Sequence, residues 1–249
     1  MRKPYLSISF ACISFILAFV PVLNAGSKNA GKFITTSSSF KSSNVNKESS
    51  YKAFSALLYE SLNLQQKGLS LKAVEYAYKG YQKLLRKGAI AREGIITICD
   101  FSQPSSRKRM YIIDVDNFKM LVNTYVAHGK NSGLQYAKRF SNRPESLQSS
   151  LGFFVTKNTY FGKHGLSLRL GGMERGINDK AEQRAVVLHG ADYIGAHRLK
   201  APYMGRSFGC PAVPDAVASK VIKLIKDKTC FFIYHPDASY LHGSKILNG

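Results

Sequence analysis

The chain has 249 residues, 45% of them hydrophobic and 20% charged, which suits a sizeable core and excludes a globally disordered protein. Lys and Arg outnumber Asp and Glu by 36 to 15, a formal net charge of +21. That excess favours polyanionic surroundings such as cell-wall polymer, anionic headgroups or nucleic acid, although scattered charges equally fit a simply solvated surface.

The chain opens on Arg2-Lys3, an almost wholly apolar run from Leu6 to Val20, then Pro21 and small residues around Ala25. This order reads as a secretory signal over residues 1–25, and the run is short for a bilayer span of roughly 20 residues. The working domain is therefore expected outside the cytoplasm, with membrane contact only through the signal. Without Arg2 and Lys3 the charge is still about +19.

Residues 26–50, rich in Ser, Lys, Asn and Thr, read as a flexible tether. Residues 51–88 read as a helical hairpin. Leu57, Leu58, Leu62 and Leu64 mark the first helix, Gly68 ends it, and Ser70 can cap a second helix bearing Ala73, Tyr76, Ala77, Tyr81 and Leu84. The Tyr76, Tyr78 and Tyr81 stripe is read as core rather than as a binding face.

From Ala89 the period changes, and residues 89–240 are expected to form one β-rich domain. Strands are predicted at 94–100, 110–115, about 121–127, 152–156, 167–170, 185–188 and 231–234. One helix is predicted from about Asp215 to Lys226, with Val217, Val221, Leu224 and Ile225 on its apolar face. Many strands with few helices predict an α+β fold, a mixed sandwich or irregular barrel.

Export leaves three cysteines, so at least one thiol is free or paired with another chain. Cys99 and Cys230 sit in strand-like contexts, where cysteine behaves as a small buried apolar residue. Only Cys210 lies in a loop, Arg206-Ser207-Phe208-Gly209-Cys210-Pro211, and His189 lies upstream at the end of an apolar run. A thiol nucleophile needs such a base, and amides with little side-chain cover to hold an oxyanion.

At these residues the chain resembles the murein L,D-transpeptidase catalytic domain (YkuD-like) family. That family carries a histidine, a spacer of roughly a dozen and a half residues, then Ser/Thr-x-Gly-Cys; here His189-Gly190-Ala191 and Ser207-Phe208-Gly209-Cys210 flank residues 190 to 206. Ile98-Cys99-Asp100-Phe101-Ser102, His128-Gly129, Ser132-Gly133, Phe140-Ser141-Asn142, Ser150 to Thr156 and Tyr160-Phe161-Gly162 extend the resemblance over about 89 to 235. Two departures stand out: Phe208 where many members have a second histidine, and Pro211-Ala212 where an Asn is common.

The resemblance implies Cys210 as nucleophile, His189 as general base and the Gly190 carbonyl as its orienter. Backbone amides of Phe208, Gly209 and Cys210 would hold the oxyanion. Arg206 beside the nucleophile could pair with stem carboxylates or favour the thiolate, or form only a structural salt bridge. Ser207 and Tyr193 could line the substrate site, and Ser207 could equally bond the loop backbone. Arg184 could tie down a loop. His128 and His164 lie in Gly-containing loops, as groove neighbours or plain surface residues; His235 and His242 receive no role. A zinc site from His189, Asp192, His197 and Cys210 matches no compact ligand spacing, so neither metal nor cofactor is expected.

The implied function is an exported bacterial enzyme of the periplasm or cell envelope that forms a thioester with a peptidoglycan stem peptide and passes it to a neighbouring stem as a 3→3 cross-link. The alternatives are a carboxypeptidase or endopeptidase using the same thiol, and a non-catalytic cell-wall-binding protein. A monomer is expected, and no nucleic-acid partner, since no basic-aromatic platform is visible.

Overall fold

The computed structural model describes residues 39–249, with side chains from residue 46 onward. The expected signal segment and the start of the expected tether lie outside the described residues. Among the described residues no helix is long and apolar enough to cross a membrane.

Helix α1 runs Ser39–Ser61 and α2 Leu71–Arg86. The tether expectation is therefore corrected from residue 39 onward, where the chain is helical. Its polar sequence supplies little helical drive of its own, and the partner helix supplies the rest. Glu48 pairs with Lys79 of α2 at 2.7 Å, and the Phe54 ring stacks on Tyr78 at 4.2 Å. Ser70 caps α2 as expected, its hydroxyl accepting from the Ala73 amide at 3.1 Å. The tyrosine stripe is core: Tyr81 is buried and accepts the Gly94 N–H at 2.8 Å, while Tyr76 and Tyr78 pack half-buried against the same cluster.

Eight strands follow: β1 Ile95–Asp100, β2 Met110–Asp114, β3 Lys119–Thr124, β4 Gly152–Gly162, β5 Gly165–Gly172, β6 Val187–Ala191, β7 Ala212–Pro214 and β8 Cys230–Tyr234. They form one sheet in the order β3-β2-β1-β8-β4-β5-β6-β7. All pairs are antiparallel except β1 with β8 and β6 with β7. The central strands are buried along nearly their whole length, because helices cover the sheet. Helix α2 packs over β1 and β8, and α3, Asp215–Ile225, packs over β5, β6 and β7.

The two sheet edges come back together. Past the end of β3, Ala127 donates its N–H to Ala212 of β7 at 2.8 Å, and Gly129 bridges to Ser207. The expected β-rich irregular barrel is thus present as an almost closed eight-stranded sheet. A small second core of Ala127, Ala191, Ile194, Met204 and Ala212 fills the seam. Beyond β8, two short helices, α4 Ala238–Gly243 and α5 Lys245–Asn248, dock through Glu174, which accepts hydrogen bonds from Tyr240, Ser244 and the Phe153 amide.

Candidate active site

The site forms where β6 meets the segment entering β7. In the parallel register His189 faces Ala212, and the His189 amide donates to the Pro211 carbonyl at 3.4 Å. Cys210 precedes that register and so falls alongside Val187, whose N–H lies 3.5 Å from the sulfur. The half-buried thiol in turn approaches the Ala185 carbonyl at 3.7 Å. Ala185 adopts φ +51°, a left-handed conformation uncommon for a residue with a Cβ.

His189 is 3% exposed. Its Nδ1 lies 2.7 Å from the Gly190 carbonyl oxygen. A carbonyl can only accept, so Nδ1 carries the proton and Nε2 keeps its lone pair. Burial pulls the imidazole below its ordinary pKa; the Gly190 carbonyl opposes this, and the stacked His164 ring, 4.3 Å between centroids, adds to it. Gly190 itself is dictated by packing, since a Cβ there would run into Asp215 at the start of α3.

The loop before the cysteine is held from two sides. Ser207 donates to the Cys210 carbonyl at 2.6 Å and accepts the Gly209 N–H at 3.0 Å. The Ser207 amide donates to the His128 carbonyl, and Lys130 N–H donates to the Ser207 carbonyl. Ser149 donates to the Gly209 carbonyl at 3.2 Å. Gly209 has φ +128°, and a Cβ there would sit 2.9 Å from the Gln148 carbonyl oxygen, so both conformation and space require glycine.

These contacts revise several expectations. The Gly209 amide is spent on Ser207, whereas the Phe208 and Cys210 amides bond nothing among the described residues. Ser207 is buried and bonded in both directions, so it belongs to the loop scaffold and not to a substrate surface. Arg206 is also spent: it donates to the Lys130 and Gly133 carbonyls at 2.7 and 3.1 Å and lies over the Tyr203 ring. It forms no salt bridge among the described residues. Tyr193 is half-buried, its phenol pushed up to about 12 first by burial and then by Cys210 nearby. Phe208 is 71% exposed, with the Lys130 ammonium 4.7 Å from its ring centre.

His128 is not a surface residue. It is fully buried, its Nδ1 2.7 Å from the buried Arg109 guanidinium and its Nε2 3.3 Å from the Gly133 carbonyl. Burial, then the Arg109 charge, hold it down to about 3, so it stays neutral. Arg109 and His128 thereby fix the 128–133 turn that carries Ser207. Asp192 and His197 line a separate cavity of about 850 Å³ at the β3–β7 seam, which includes neither Cys210 nor His189. His164, expected as a groove neighbour or a surface residue, stacks on His189. The roles of Ser149 and Ala185 have no reading in the sequence: the density of Ser and Gly around 129–150 is the available signal for the first, and nothing local marks the second.

A family profile described as L,D-transpeptidase catalytic domain (YkuD_2) matches residues 65–234. No curated protein matches the chain. Among solved structures it is similar to the L,D-transpeptidase from Mycobacterium smegmatis (12% identity, 57% of this chain and 59% of that one, TM-score 0.36). A mutant L,D-transpeptidase from Enterococcus faecium gives 13% identity, 57% and 50% coverage and a TM-score of 0.36. The L,D-transpeptidase from Xylanimonas cellulosilytica gives 16%, 70% and 93%, and 0.32. The chain thus spans only 59% and 50% of the first two. With the profile covering 65–234 and the His189…Ser207-Phe208-Gly209-Cys210 arrangement lying inside it, the chain belongs to the L,D-transpeptidase catalytic-domain family.

Proposed function

We propose that the protein is an exported, monomeric, cysteine-dependent L,D-transpeptidase of the cell envelope that acts on peptidoglycan stem peptides. Residues 89–240 form its catalytic domain, prefaced by the hairpin of α1 and α2. The observation that carries this reading is the His189 tautomer: Nδ1–H held by the Gly190 carbonyl, and a bare Nε2 on the strand paired to the Cys210 segment.

In this reading Nε2 takes the thiol proton as the sulfur attacks the carbonyl of the third stem residue. The oxyanion is held by the free Phe208 and Cys210 amides. Collapse breaks the amide to the terminal D-alanine, whose nitrogen receives the proton from His189, leaving a thioester on Cys210. An amine of a neighbouring stem then attacks the thioester, gives its proton to His189 and releases the thiol, closing the 3→3 link.

Intact-protein mass after incubation with a tetrapeptide donor tests the reading. The wild type should gain the tripeptide acyl mass on Cys210 with release of D-alanine, and C210A should gain nothing. Tripeptide product without dimer would instead assign the hydrolase; an unacylated wild type, or a C210A variant that still cross-links, would overturn the thioester altogether.

A further inference from the structure

We propose that Arg184, not Arg206, is the cation that supports the thiolate of Cys210, and that the same side chain clamps segment 141–150 over the nucleophile loop. The inference rests on Cys210 being the reactive thiol.

The geometry begins with the clamp. Arg184 Nη1 donates to the Ser141 carbonyl at 2.6 Å and to the Ser150 hydroxyl; Nη2 donates to the Gln148 carbonyl at 2.6 Å and to the Ser146 hydroxyl at 3.2 Å. Both ends of the segment are thus tied to one guanidinium. Between those ends, Leu147 and Glu145 adopt left-handed backbone, at φ +56° each. The segment also contacts the nucleophile loop directly, through Ser149 to the Gly209 carbonyl.

All four acceptors are neutral oxygens. Arg184 is half-buried and takes part in no salt bridge among the described residues. A guanidinium withdrawn from water without a counter-charge is costly, so its surroundings should include an anion at some stage of function. The candidate lies next door. The sulfur of Cys210 rests against Ala185, the residue after Arg184, and Arg184 Nη2 is 3.4 Å from where a Cβ on Gly209 would stand. Ala185, in its left-handed conformation, turns its carbonyl toward the thiol and so brings the two side chains together.

The other groups around the sulfur do not compete for this role. His189 on β6 is held neutral by burial, and Tyr193 beyond β6 keeps its phenol proton. Burial raises the thiol; the Val187 N–H is the larger influence opposing it, and Arg184 is the charged group among the described residues that opposes it as well. Arg206, four residues from the cysteine in sequence, points its donors at the 130–133 turn.

The test is the pH dependence of Cys210 alkylation by iodoacetamide, with the adduct located by peptide mass; Cys99 and Cys230 are fully buried. R184Q should raise the apparent thiol pKa by about one unit and slow alkylation at neutral pH about tenfold. R184K should melt at lower temperature, because a single ammonium cannot make the four-oxygen fork, yet keep the thiol titration near that of the wild type. R206Q should leave the titration in place. Should R184Q fail to fold, added salt must still move the wild-type titration upward. A folded R184Q or R184K titrating contrary to these expectations, a salt-insensitive wild type, or an R206Q shift as large as that of R184Q would overturn the proposal. None of these readouts requires cross-linking activity, so failure of the transpeptidase reading would remain distinguishable.

Discussion

At the level of single residues, the His189–Cys210 pair is set up as a neutral couple. Burial lowers the imidazole and raises the thiol, so protons remain on sulfur and the ring stays uncharged over most of the neutral range. A neutral pair implies general-base activation in the attack step rather than a preformed ion pair. The acid limb of kcat/KM should therefore fall below 6.5, the ordinary imidazole value, as the base must lose its proton for the reaction to proceed. His164, stacked on the ring, contributes to that depression when it is charged, so H164F should move the limb upward toward the ordinary value while keeping the stack. A pH profile measured on a tetrapeptide donor decides this. A wild-type limb at or above 6.5 would contradict the neutral pair.

At the level of elements, much was legible and the exceptions have physical causes. A strand forms at each of the seven predicted places, although the one expected at 185–188 runs Val187–Ala191 and the one expected at about 121–127 runs Lys119–Thr124. Helix α3 forms as expected, but its buried face is Ala218, Val221, Ile222 and Ile225, with Val217 and Leu224 only half-buried. Strand β7 is invisible in the sequence: its three residues, Ala212–Pro214, carry no period, and only pairing with β6 and Ala127 makes them a strand. Helices α4 and α5 are too short for periodicity and depend on Glu174, distant in sequence. His189 and Cys210 stand close enough in the sequence to be read as one motif, and the Ser207 hydroxyl finds its partners within three residues, whereas the acceptors of Arg206 and the backbone partners of Ser207 lie on the 128–133 turn, more than 70 residues away, and appear only after folding. The hairpin offers a test of how close its packing is. Gly80 lies mid-helix in α2, where Ala would favour the helix by about 1 kcal/mol. A Cβ there would fall on the Phe153 ring, which is fully buried and stacked on Phe232 at 4.2 Å, so the ring cannot swing aside. The clash should win, and G80A should lower unfolding stability by about 1–3 kcal/mol in chemical denaturation. Neutral or higher stability would show that α2 docks loosely.

For the whole molecule, the closed seam makes stability depend on a histidine that takes no part in the proposed chemistry. His128 lies under the junction where the 128–133 turn meets Ser207, bonded to Arg109 on one side and to Gly133 on the other. Its folded-state pKa is held down to about 3 against an ordinary 6.5, burial being the larger cause and Arg109 the next. With a depressed pKa, the unfolded chain takes up a proton below 6.5 while the native chain does not until about 3. The stabilising contribution is thus complete above 6.5 and is lost progressively as pH falls through that window, on the order of a few kcal/mol. Glu174 works in the opposite sense: its carboxyl is raised, chiefly by burial, so its contribution is present at low pH and fades as pH rises through the folded-state pKa. Depressed His189 and His235 act with His128. Replacing His128 by Asn, which can still accept from Arg109, should therefore flatten the fall in stability between pH 6.5 and 5 without abolishing it. Urea unfolding at a series of pH values measures the slope directly. Parallel curves for the wild type and H128N would mean that the seam does not hold this imidazole neutral.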